Sequence, residues 1–523
     1  MNRTLTNAMN ILMLKKEIKI SLVCMLMIFA GRSVSQSKEG ASKPNIIFIL
    51  ADDLGYGDIS TYNEESKIKT KNIDQLASHG VKFTDAHTSS AVCTPTRYGI
   101  LTGRYNWRST LKKHVLFGYS KALIPESRKT IAGFLKENGY KTAGIGKWHL
   151  GWDWNNIEAG NSLVDFSQKV KNGPTTRGFD YWYGFNGSLD MAPYVWIEND
   201  QPTMVPNKLT ENTGQAMWRK GLTSDDFVHE QVLPDITKKT IDFIGENANK
   251  EQPFFLYLPL PAPHTPILPT PEFQGKSGLE NPYGDFVLMV DDVVGQIMEA
   301  LEMQGIAENT MLIFTSDNGC SNQADFDQLV TKGHDPSYVF RGHKADIFEG
   351  GHRVPFIVRW PAEVQPGSSD QLLCTTDFFA TVADALDLRA SVTDQMAEDS
   401  YSFLPALNLP SEAPVRSSIV HHSINGSFAY RTGDYKTIMC PGSGGWSYPR
   451  PNAPEIADLP KIQLYNLATD IGEMDNLFPS QSGIVEKHKQ ELTKIIKDGR
   501  STAGTPQKND GPEVWSQLWW LME

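Results

Sequence analysis

Two short apolar runs, each followed at once by acidic or amide residues and a glycine, constrain the fold of this chain most. The first run spans residues 46–50 and the second spans residues 311–315. Runs of this length are typical of buried parallel strands, and the polar residues then lie in loops at the carboxyl ends of the strands. Ligands of such sheets bind beyond those ends. The polar residues concerned are Asp52, Asp53, Asp317 and Asn318.

Helix-like and strand-like segments alternate between the two runs. Helical patterns cover residues 73–79 and 130–138, and extended patterns cover residues 81–83, 142–145 and 254–258. This alternation predicts an α/β domain with a large, mostly parallel central sheet flanked by helices.

Three other segments depart from this alternation. The proline-rich residues 259–271 predict an irregular loop, because successive prolines interrupt helices and sheet ladders. Residues 152–235 have weak periodicity and predict a long insertion. Short antiparallel strands within residues 418–438, followed by a helix over 484–497, predict a smaller C-terminal α+β subdomain. We therefore expect a catalytic domain over residues 36–410 and a subdomain over residues 411–523.

The first 35 residues have the features of an export signal. Basic residues 15–19 precede the apolar run 20–30, and small residues 33–35 follow it. This order predicts a Sec-type signal peptide cleaved after Ser35, with an uncleaved anchor as the alternative. The run is short for a bilayer span, so we expect no stable membrane insertion after cleavage. The protein would then be secreted or periplasmic, in a bacterium.

The net charge of −12 argues against a nucleic-acid partner, because phosphate binding requires a basic surface. A local cluster of cations can still form a positive pocket on an acidic protein.

The acidic and amide residues after the two strands offer hard oxygen ligands. Asp52, Asp53, Asp317 and Asn318 suit Ca²⁺ or Mg²⁺ better than zinc, which prefers histidine and cysteine. The alternative is that Asp-Asp and Asp-Asn-Gly only form turns. Their position after two buried strands favours a metal site.

Cys93 precedes Pro95 and Arg97 and lies just before a predicted helix. A helix N-terminus favours an anion, and Arg97 is one helical turn further on. Cys93 could be a nucleophile, a metal ligand, half of a disulfide or a small buried side chain. The spacing to the arginine excludes the loop of Cys-x5-Arg thiol phosphatases.

Basic residues also follow predicted strands or lie in loops. Lys147 and His149 are two residues apart, so they point the same way on an extended segment. His264 lies in the proline-rich segment, and Lys344 precedes a glycine-rich segment. Each alone is typical of a surface or packing residue. Together with Arg97 they predict a pocket for a compact dianion.

These motifs together resemble the type I sulfatases of the alkaline phosphatase superfamily, from about Asn45 to the C-terminus. The signature Cys-x-Pro-x-Arg stands at residues 93–97, and Leu-Thr-Gly-Arg follows at 101–104. The further blocks that match in order are Gly-Lys-Trp-His (146–149), Pro-His-x-Pro (263–266), Ser-Asp-Asn-Gly (316–319) and Gly-x-Lys with Glu-Gly-Gly-x-Arg-Val-Pro (342–344 and 349–355).

The resemblance implies that Cys93 is converted to Cα-formylglycine (3-oxoalanine) by a formylglycine-generating maturation enzyme. An oxygen of the aldehyde hydrate then attacks sulfur and forms a covalent sulfate ester. Loss of a proton from the remaining hydroxyl eliminates sulfate and restores the aldehyde.

The resemblance also implies a role for each motif residue. One Ca²⁺ is held by Asp52, Asp53, Asp317, Asn318 and residue 93. Asp317 is the base for the hydrate, and Arg97 holds residue 93. Lys147, Lys344 and His264 face the sulfate oxygens, and His264 or Lys344 protonates the leaving alcohol. His149 binds the hydroxyl of residue 93 and assists elimination. Ser188 is a weaker candidate for a polar contact, outside this set.

The substrate implied is a sulfated saccharide. The tail over residues 499–510 resembles that of N-acetylgalactosamine-6-sulfatase-like carbohydrate sulfatases, which favours a 6-O-sulfate on a galacto-configured sugar. One alternative is a phosphonate or phosphate diester hydrolase of the same superfamily. A second is a non-catalytic binder of sulfated glycans whose residue 93 is never matured.

Overall fold

The computed structural model describes residues 43–408 and 414–523. The strands are β1 (Asn45–Asp52), β2 (Val81–Phe83), β3 (Ala86–His87), β4 (Lys141–Lys147), β5 (Tyr181–Phe185), β6 (Ile197–Glu198), β7 (Gln201–Pro202), β8 (Lys208–Asn212), β9 (Trp218–Thr223), β10 (Phe254–Pro263), β11 (Thr310–Ser316), β12 (Phe356–Arg359), β13 (Gly367–Ser369), β14 (Leu373–Cys374), β15 (Ser418–His422), β16 (Phe428–Thr432), β17 (Tyr435–Ile438) and β18 (Gln463–Asn466). The α-helices are α1 (Lys71–Ser78), α2 (Cys93–Thr102), α3 (Ile131–Glu137), α4 (Val232–Asn247), α5 (Pro282–Met303), α6 (Phe326–Thr331), α7 (Glu349–His352), α8 (Phe378–Ala385) and α9 (Ser482–Asp498).

A ten-stranded sheet with the order β13-β2-β12-β11-β1-β10-β4-β5-β6-β7 forms the centre of the molecule. Strands β11, β1, β10, β4 and β5 run parallel to one another. Strand β12 is antiparallel to both of its neighbours, and so is β6. The predicted α/β class with a mostly parallel central sheet is therefore confirmed, with antiparallel strands towards its edges.

Strand β1 is buried on both faces of this sheet. Ile47 and Ile49 belong to one core layer, which also contains side chains of α4 and α5. Ile46 and Phe48 belong to the opposite layer, with side chains of α2, α3 and α8. Alternate residues of a strand point to opposite faces. The continuous apolar run is therefore required because helices cover both sides of the sheet.

The register of the parallel strands brings the polar loops together. Ala51 of β1 pairs with Ser316 of β11, and Asp52 pairs with Pro263 of β10. The residues that follow each strand, His264 among them, consequently lie at one edge of the sheet. This is the arrangement expected from the sequence.

The prediction of an irregular loop over residues 259–271 is wrong for its first part, because β10 extends to Pro263. Strand β4 pairs with β10 only from Phe254 to Tyr257, whereas β1 continues beside the prolines. A proline lacks the N–H donor but keeps its carbonyl acceptor. The prolines are tolerated because only one neighbouring strand accompanies that part of β10.

The prediction of a long insertion over residues 152–235 is correct only in part. Strands β8 and β9 form a separate two-stranded sheet there, but β5 joins the central sheet beside β4. A strand buried among aromatic side chains does not alternate between apolar and polar residues, so the search for periodicity missed it.

The C-terminal part contains a four-stranded antiparallel sheet with the order β15-β16-β17-β18. Three of its strands and helix α9 match the sequence prediction, and β18 was not predicted. The predicted boundary between residues 410 and 411 lies outside the described residues and stays a prediction.

The predicted signal peptide also lies outside the described residues. Within the described ranges, we find no helix of the length and apolar character needed to cross a membrane.

Gly146 provides a test of how tightly the strands at the site are packed. Its φ angle is +130°, and an added Cβ would lie 2.0 Å from the carbonyl oxygen of Pro259. We expect Gly146→Ala to lower the free energy of unfolding by about 2–4 kcal/mol, since it combines backbone strain with overpacking. Denaturant unfolding measures this change.

Gly139→Ala is the matched control. Gly139 has a φ angle of +89°, but an added Cβ would have no neighbouring atom within 4 Å. Only the backbone strain, of about 1 kcal/mol, then lowers the free energy of unfolding. Equal effects of the two substitutions would contradict the packing argument.

Candidate active site

The predicted site residues meet at the carboxyl edge of the central sheet, beside a cavity of about 850 Å³. Cys93, His264 and Lys344 line the cavity, together with Asp190 and Arg219. The remaining predicted residues lie beneath or beside these groups and are almost completely buried.

Helix α2 positions Cys93 and Arg97. Cys93 is the first residue of this helix and not, as predicted, the residue before it, because Val92 is the N-cap. Every residue of α2 is buried, and Gly103 ends the helix in a left-handed conformation. The thiol therefore lies at a buried helix N-terminus, which favours a negative group.

The surroundings of Cys93 decide between the interpretations of its thiol. Its side chain is 2% exposed, and burial raises its pKa to about 11 although Lys147 and Lys344 oppose this increase. A thiol with this pKa is not an activated nucleophile at neutral pH. Cys93, Cys320, Cys374 and Cys440 are all free and buried, which excludes a disulfide among the described residues.

Arg97 connects three parts of the site. Its Nε and Nη2 atoms donate to Oδ2 of Asp317 at 3.0 and 2.7 Å, and its Nη1 donates to the carbonyl oxygen of Lys147 at 2.9 Å. The arginine and Asp317 are both fully buried. Removal of either partner would leave an uncompensated buried charge, so this pair fixes the geometry between α2, β4 and β11.

Asp52, Asp53 and Asp317 converge so closely that one oxygen of each lies within 4.8 Å of the others. Burial and the neighbouring Asp52 raise the pKa of Asp317 to about 7. Burial also acts to raise the pKa of Asp52, but Lys147 and other nearby cations outweigh it and hold that pKa well below its usual range. The three carboxylates therefore repel one another where they meet, and a cation bound between them would relieve this repulsion.

Two oxygen atoms in this cluster fit a bound cation. Oδ1 of Asp52 and Oδ1 of Asn318 are buried and have no hydrogen-bond partner. The Asn318 side chain is oriented by its Nδ2, which donates to Oδ1 of Asp53 at 2.7 Å. Buried oxygen atoms without a donor are costly, and hard cations such as Ca²⁺ bind such sets of carboxylate and amide oxygens.

A second buried group, formed by His87, Glu349, His352 and His421, could also hold a metal by distance alone. However, the Nζ atom of Lys436 lies 3.0 Å from Glu349 and 3.1 Å from His352. None of these four residues lines the cavity beside Cys93, and Glu349 already pairs with Lys436, so we interpret this cluster as an internal ion-pair network.

The predicted cations face the carboxylates from the cavity side. The Nζ atom of Lys147 lies 2.5 Å from Asp52, and that of Lys344 lies 2.7 Å from Asp53. The Nε2 atom of His264 lies 3.6 Å from Asp53. The carboxylates therefore hold three cationic or potentially cationic groups next to Cys93.

His149 follows β4 but does not continue it, because its φ angle is +55°. Its Nε2 donates to the carbonyl oxygen of Leu116 at 2.8 Å, which leaves Nδ1 without a partner. The Thr94 hydroxyl donates to the His149 carbonyl oxygen and ties the histidine to α2. Burial lowers the pKa of His149 well below its usual value, so Nδ1 is a hydrogen-bond acceptor.

Ser188, which sequence reasoning left outside the core set, lies among the predicted site residues. Its Oγ lies 3.3 Å from Nζ of Lys147 and 3.2 Å from ring nitrogens of His264. It follows β5, so recognition of β5 as a parallel strand would have placed Ser188 at the same edge as the motif residues.

Comparisons with known proteins agree with this geometry. The sulfatase family model matches residues 44–388. An N-acetylgalactosamine-6-O-sulfatase of Bacteroides thetaiotaomicron is 34% identical over 501 residues, covering 87% of this chain and 94% of the relative. Human arylsulfatase A is 30% identical over 508 residues, covering 91% and 93% of the two chains.

Two solved structures have folds similar to that of this chain. A structure from work on the metabolism of multiple glycosaminoglycans by Bacteroides thetaiotaomicron has a TM-score of 0.75 at 33% identity, covering 87% of this chain and 99% of its own. A second structure, solved in complex with k-i-k-neocarrahexaose, has a TM-score of 0.67 at 26% identity, covering 89% and 95%.

The raised pKa of Cys93 gives a direct prediction for protein that retains the thiol. We expect iodoacetamide to alkylate Cys93 at pH 8 on the order of 100-fold more slowly in the folded protein than in the urea-unfolded protein, since the thiolate fraction falls about tenfold per pKa unit. Mass spectrometry of the peptide that contains residue 93 measures both rates. Equal rates would contradict the raised pKa of Cys93, and a faster rate in the folded protein would indicate an activated thiolate and would favour a thiol nucleophile.

Proposed function

Since the chain belongs to the sulfatase family and is a sulfuric ester hydrolase, we propose that it removes sulfate from a sulfated carbohydrate. The observation that carries this proposal is the convergence of Lys147, His264 and Lys344 beside Cys93, at the base of a large cavity. Three cationic groups suit the oxygens of a sulfate ester, and a cavity of about 850 Å³ is large enough for a saccharide. Similarity to an N-acetylgalactosamine-6-O-sulfatase favours a 6-O-sulfate on a galacto-configured sugar as the target.

We further propose that Cys93 is converted to formylglycine by a maturation enzyme. A buried thiol with a pKa of about 11 is a poor nucleophile, so a different functional group at this position would have to attack sulfur. Once formed, the hydrated aldehyde supplies the oxygen that attacks sulfur. The side chains around residue 93 then have to orient that group, accept its protons and neutralise the sulfate.

The oxygen cluster is proposed to hold one Ca²⁺ through Asp52, Asp53, Asp317, Asn318 and residue 93. The donor set and the two unpartnered oxygen atoms support this assignment. A bound Ca²⁺ supplies positive charge that favours the ionised form of residue 93 and a sulfate oxygen.

The remaining roles follow from the positions of the chain's own groups. Arg97 fixes Asp317, which is the proposed base for the hydroxyl of residue 93. That Arg97 also holds residue 93 is proposed from the family resemblance. Lys147 and Lys344 bind the sulfate oxygens. His264 shares this role, and either His264 or Lys344 donates a proton to the leaving alcohol.

His149 and Ser188 complete the proposed constellation. The unpartnered Nδ1 of His149 accepts a hydrogen bond from the hydroxyl of residue 93 and takes its proton during elimination of sulfate. Ser188 contacts both Lys147 and His264, so its hydroxyl orients these two groups and reaches the sulfate oxygens.

Export is the final part of the proposal. The basic, apolar and small-residue order within residues 15–35 supports a Sec-type signal peptide and a secreted or periplasmic location in a bacterium. A polysaccharide substrate would be encountered in such a location.

Calcium binding can be tested without an activity assay. We expect Ca²⁺ added after chelator treatment to stabilise the protein by about 2.7 kcal/mol at a concentration of 100 Kd, and to raise the melting temperature accordingly. Asp53→Asn should reduce this shift strongly, because it removes one anionic ligand. Asn tolerates the left-handed backbone of residue 53, whose φ angle is +65°, so the substitution adds little strain.

Asp291→Asn is the matched control for this experiment. Asp291 is also buried, but its carboxylate accepts hydrogen bonds from Asn72 and Ile73 at the start of α1. We expect it to change the baseline stability and to preserve the shift with Ca²⁺. Loss of the shift in both variants, or in neither, would contradict the assigned ligand set.

The activity itself is tested with a panel of defined sulfated saccharides, an aryl sulfate and a phosphate diester, with sulfate and phosphate release as the readouts. We expect a strong preference for sulfate esters by protein expressed with a formylglycine-generating enzyme. Equal or faster hydrolysis of the diester would favour the phosphodiesterase alternative. Sulfate release from aryl sulfate alone would contradict a carbohydrate substrate.

Cys93→Ser is the internal control of this panel. It should bind sulfated saccharide but release no sulfate, because serine cannot form the hydrated aldehyde by this route. Intact-mass analysis shows whether the wild-type thiol has been replaced by an aldehyde. Full turnover by protein that still carries the thiol would exclude the proposed mechanism, and an unmodified, inactive protein in every host would favour the glycan-binding alternative.

A further inference from the structure

A tight turn after β5 brings a further carboxylate to the cavity. The Met191 N–H donates to the carbonyl oxygen of Ser188 at 2.9 Å, which closes the turn around Asp190. Ser188 contacts Lys147 and His264, and Asp190 lines the same cavity two residues further on. The turn therefore holds a carboxylate next to the groups that are proposed to bind sulfate.

The two oxygen atoms of Asp190 differ in their surroundings. Its Oδ2 forms a short ion pair with Nη1 of Arg219, which also donates to the Asp190 carbonyl oxygen at 3.0 Å. Its Oδ1 is buried and has no hydrogen-bond partner, although the residue is only 3% exposed. A buried carboxylate oxygen without a donor is unfavourable, so a donor supplied by a ligand would stabilise it.

Arg219 holds this carboxylate and lines the same cavity. It lies on β9, its backbone N–H donates to the Asp190 carbonyl oxygen at 3.2 Å, and its side chain is half exposed. The two hydrogen bonds to the Asp190 backbone and the ion pair to Oδ2 restrict the side chain of Asp190. They leave Oδ1 as the acceptor that is free for a ligand.

The missing donor is best supplied by a neutral group of the substrate. Lys344, His264 and Arg219 already line the cavity as cationic or potentially cationic groups, and the sulfate ester itself offers only acceptors. A sugar hydroxyl provides an O–H donor without adding charge.

Resting on the proposed function, we propose that Asp190 is a specificity-determining residue that accepts a hydrogen bond from a sugar hydroxyl adjacent to the sulfated position. Arg219 is its positioning residue. In a galacto-configured 6-O-sulfated sugar this hydroxyl is the axial 4-hydroxyl, which stands on the same side of the ring as the exocyclic carbon that carries the sulfate. The equatorial 4-hydroxyl of the gluco epimer points away from that side, so Asp190 distinguishes the two epimers.

The experiment compares kcat/KM for N-acetylgalactosamine 6-sulfate, its 4-deoxy analogue and N-acetylglucosamine 6-sulfate. We expect the matured wild-type protein to hydrolyse N-acetylgalactosamine 6-sulfate about 10- to 100-fold faster than the other two sugars. Neither of those two sugars can form the hydrogen bond between the axial 4-hydroxyl and the charged carboxylate. Asp190→Ala should hydrolyse the parent sugar and the 4-deoxy analogue equally. Arg219→Ala should retain only a few-fold difference, since Asp190 then loses its fixed orientation.

Asp200→Ala is the matched control, because Asp200 forms an ion pair with Lys169 in the same part of the chain without lining the cavity. It should keep the wild-type ratio between the substrates. Asp190→Asn keeps the shape of the side chain and replaces Asp190→Ala if the alanine variant does not fold. We expect this variant to hydrolyse the parent sugar only a few-fold faster than the 4-deoxy analogue.

Two results would overturn the assignment while leaving the proposed function intact. One is a wild-type protein that hydrolyses the parent sugar and its 4-deoxy analogue equally well. The other is an Asp190 variant that folds and keeps the wild-type ratio, which would mean that Asp190 and Arg219 form a structural ion pair only. A wild-type protein that releases sulfate from aryl esters but from no saccharide would overturn the proposed function, and this assignment with it.

Discussion

The parallel pairing of β1 with β10 on one side and β11 on the other is the constraint on which the site depends. Helices cover both faces of β1, so its register cannot shift by one residue without exchanging the two apolar faces. The two pairings determine where Asp52 and Asp53 lie relative to Asp317 and His264. Packing in the core thus fixes the distances between charged groups at the sheet edge.

The charges at this edge are closely balanced. The carboxylates of Asp52, Asp53 and Asp317 lie against Arg97, Lys147 and Lys344, all buried. Each group would be unfavourable alone in a region from which water is excluded, and each is stabilised by its neighbours. This balance orients the side chains in advance, which is the condition for strong electrostatic stabilisation of a developing charge.

The sequence predicts the parts of this structure that depend on local pattern. The apolar runs, the helix at Cys93, the strand that leads to Lys147 and the loop that carries Lys344 were predicted because strand ends and helix starts have local signals. The strand character of Pro259–Pro263 was missed, since it depends on which neighbouring strands accompany β10. Ser188 was only a weaker candidate and Asp190 was not singled out, because their positions follow from β5, whose burial hides its periodicity. An oxygen atom without a hydrogen-bond partner can be recognised only when the positions of all neighbouring side chains are known.

The burial of helix α2 also determines when Cys93 is accessible to another protein. All ten residues of this helix are buried, and Cys93 lies at its first turn with 2% of its surface exposed. A maturation enzyme that acts on Cys93, as proposed, would need access to this residue, which the folded chain does not expose. The proposed modification would therefore have to occur before α2 becomes buried. Under this proposal, folding and maturation would compete in time.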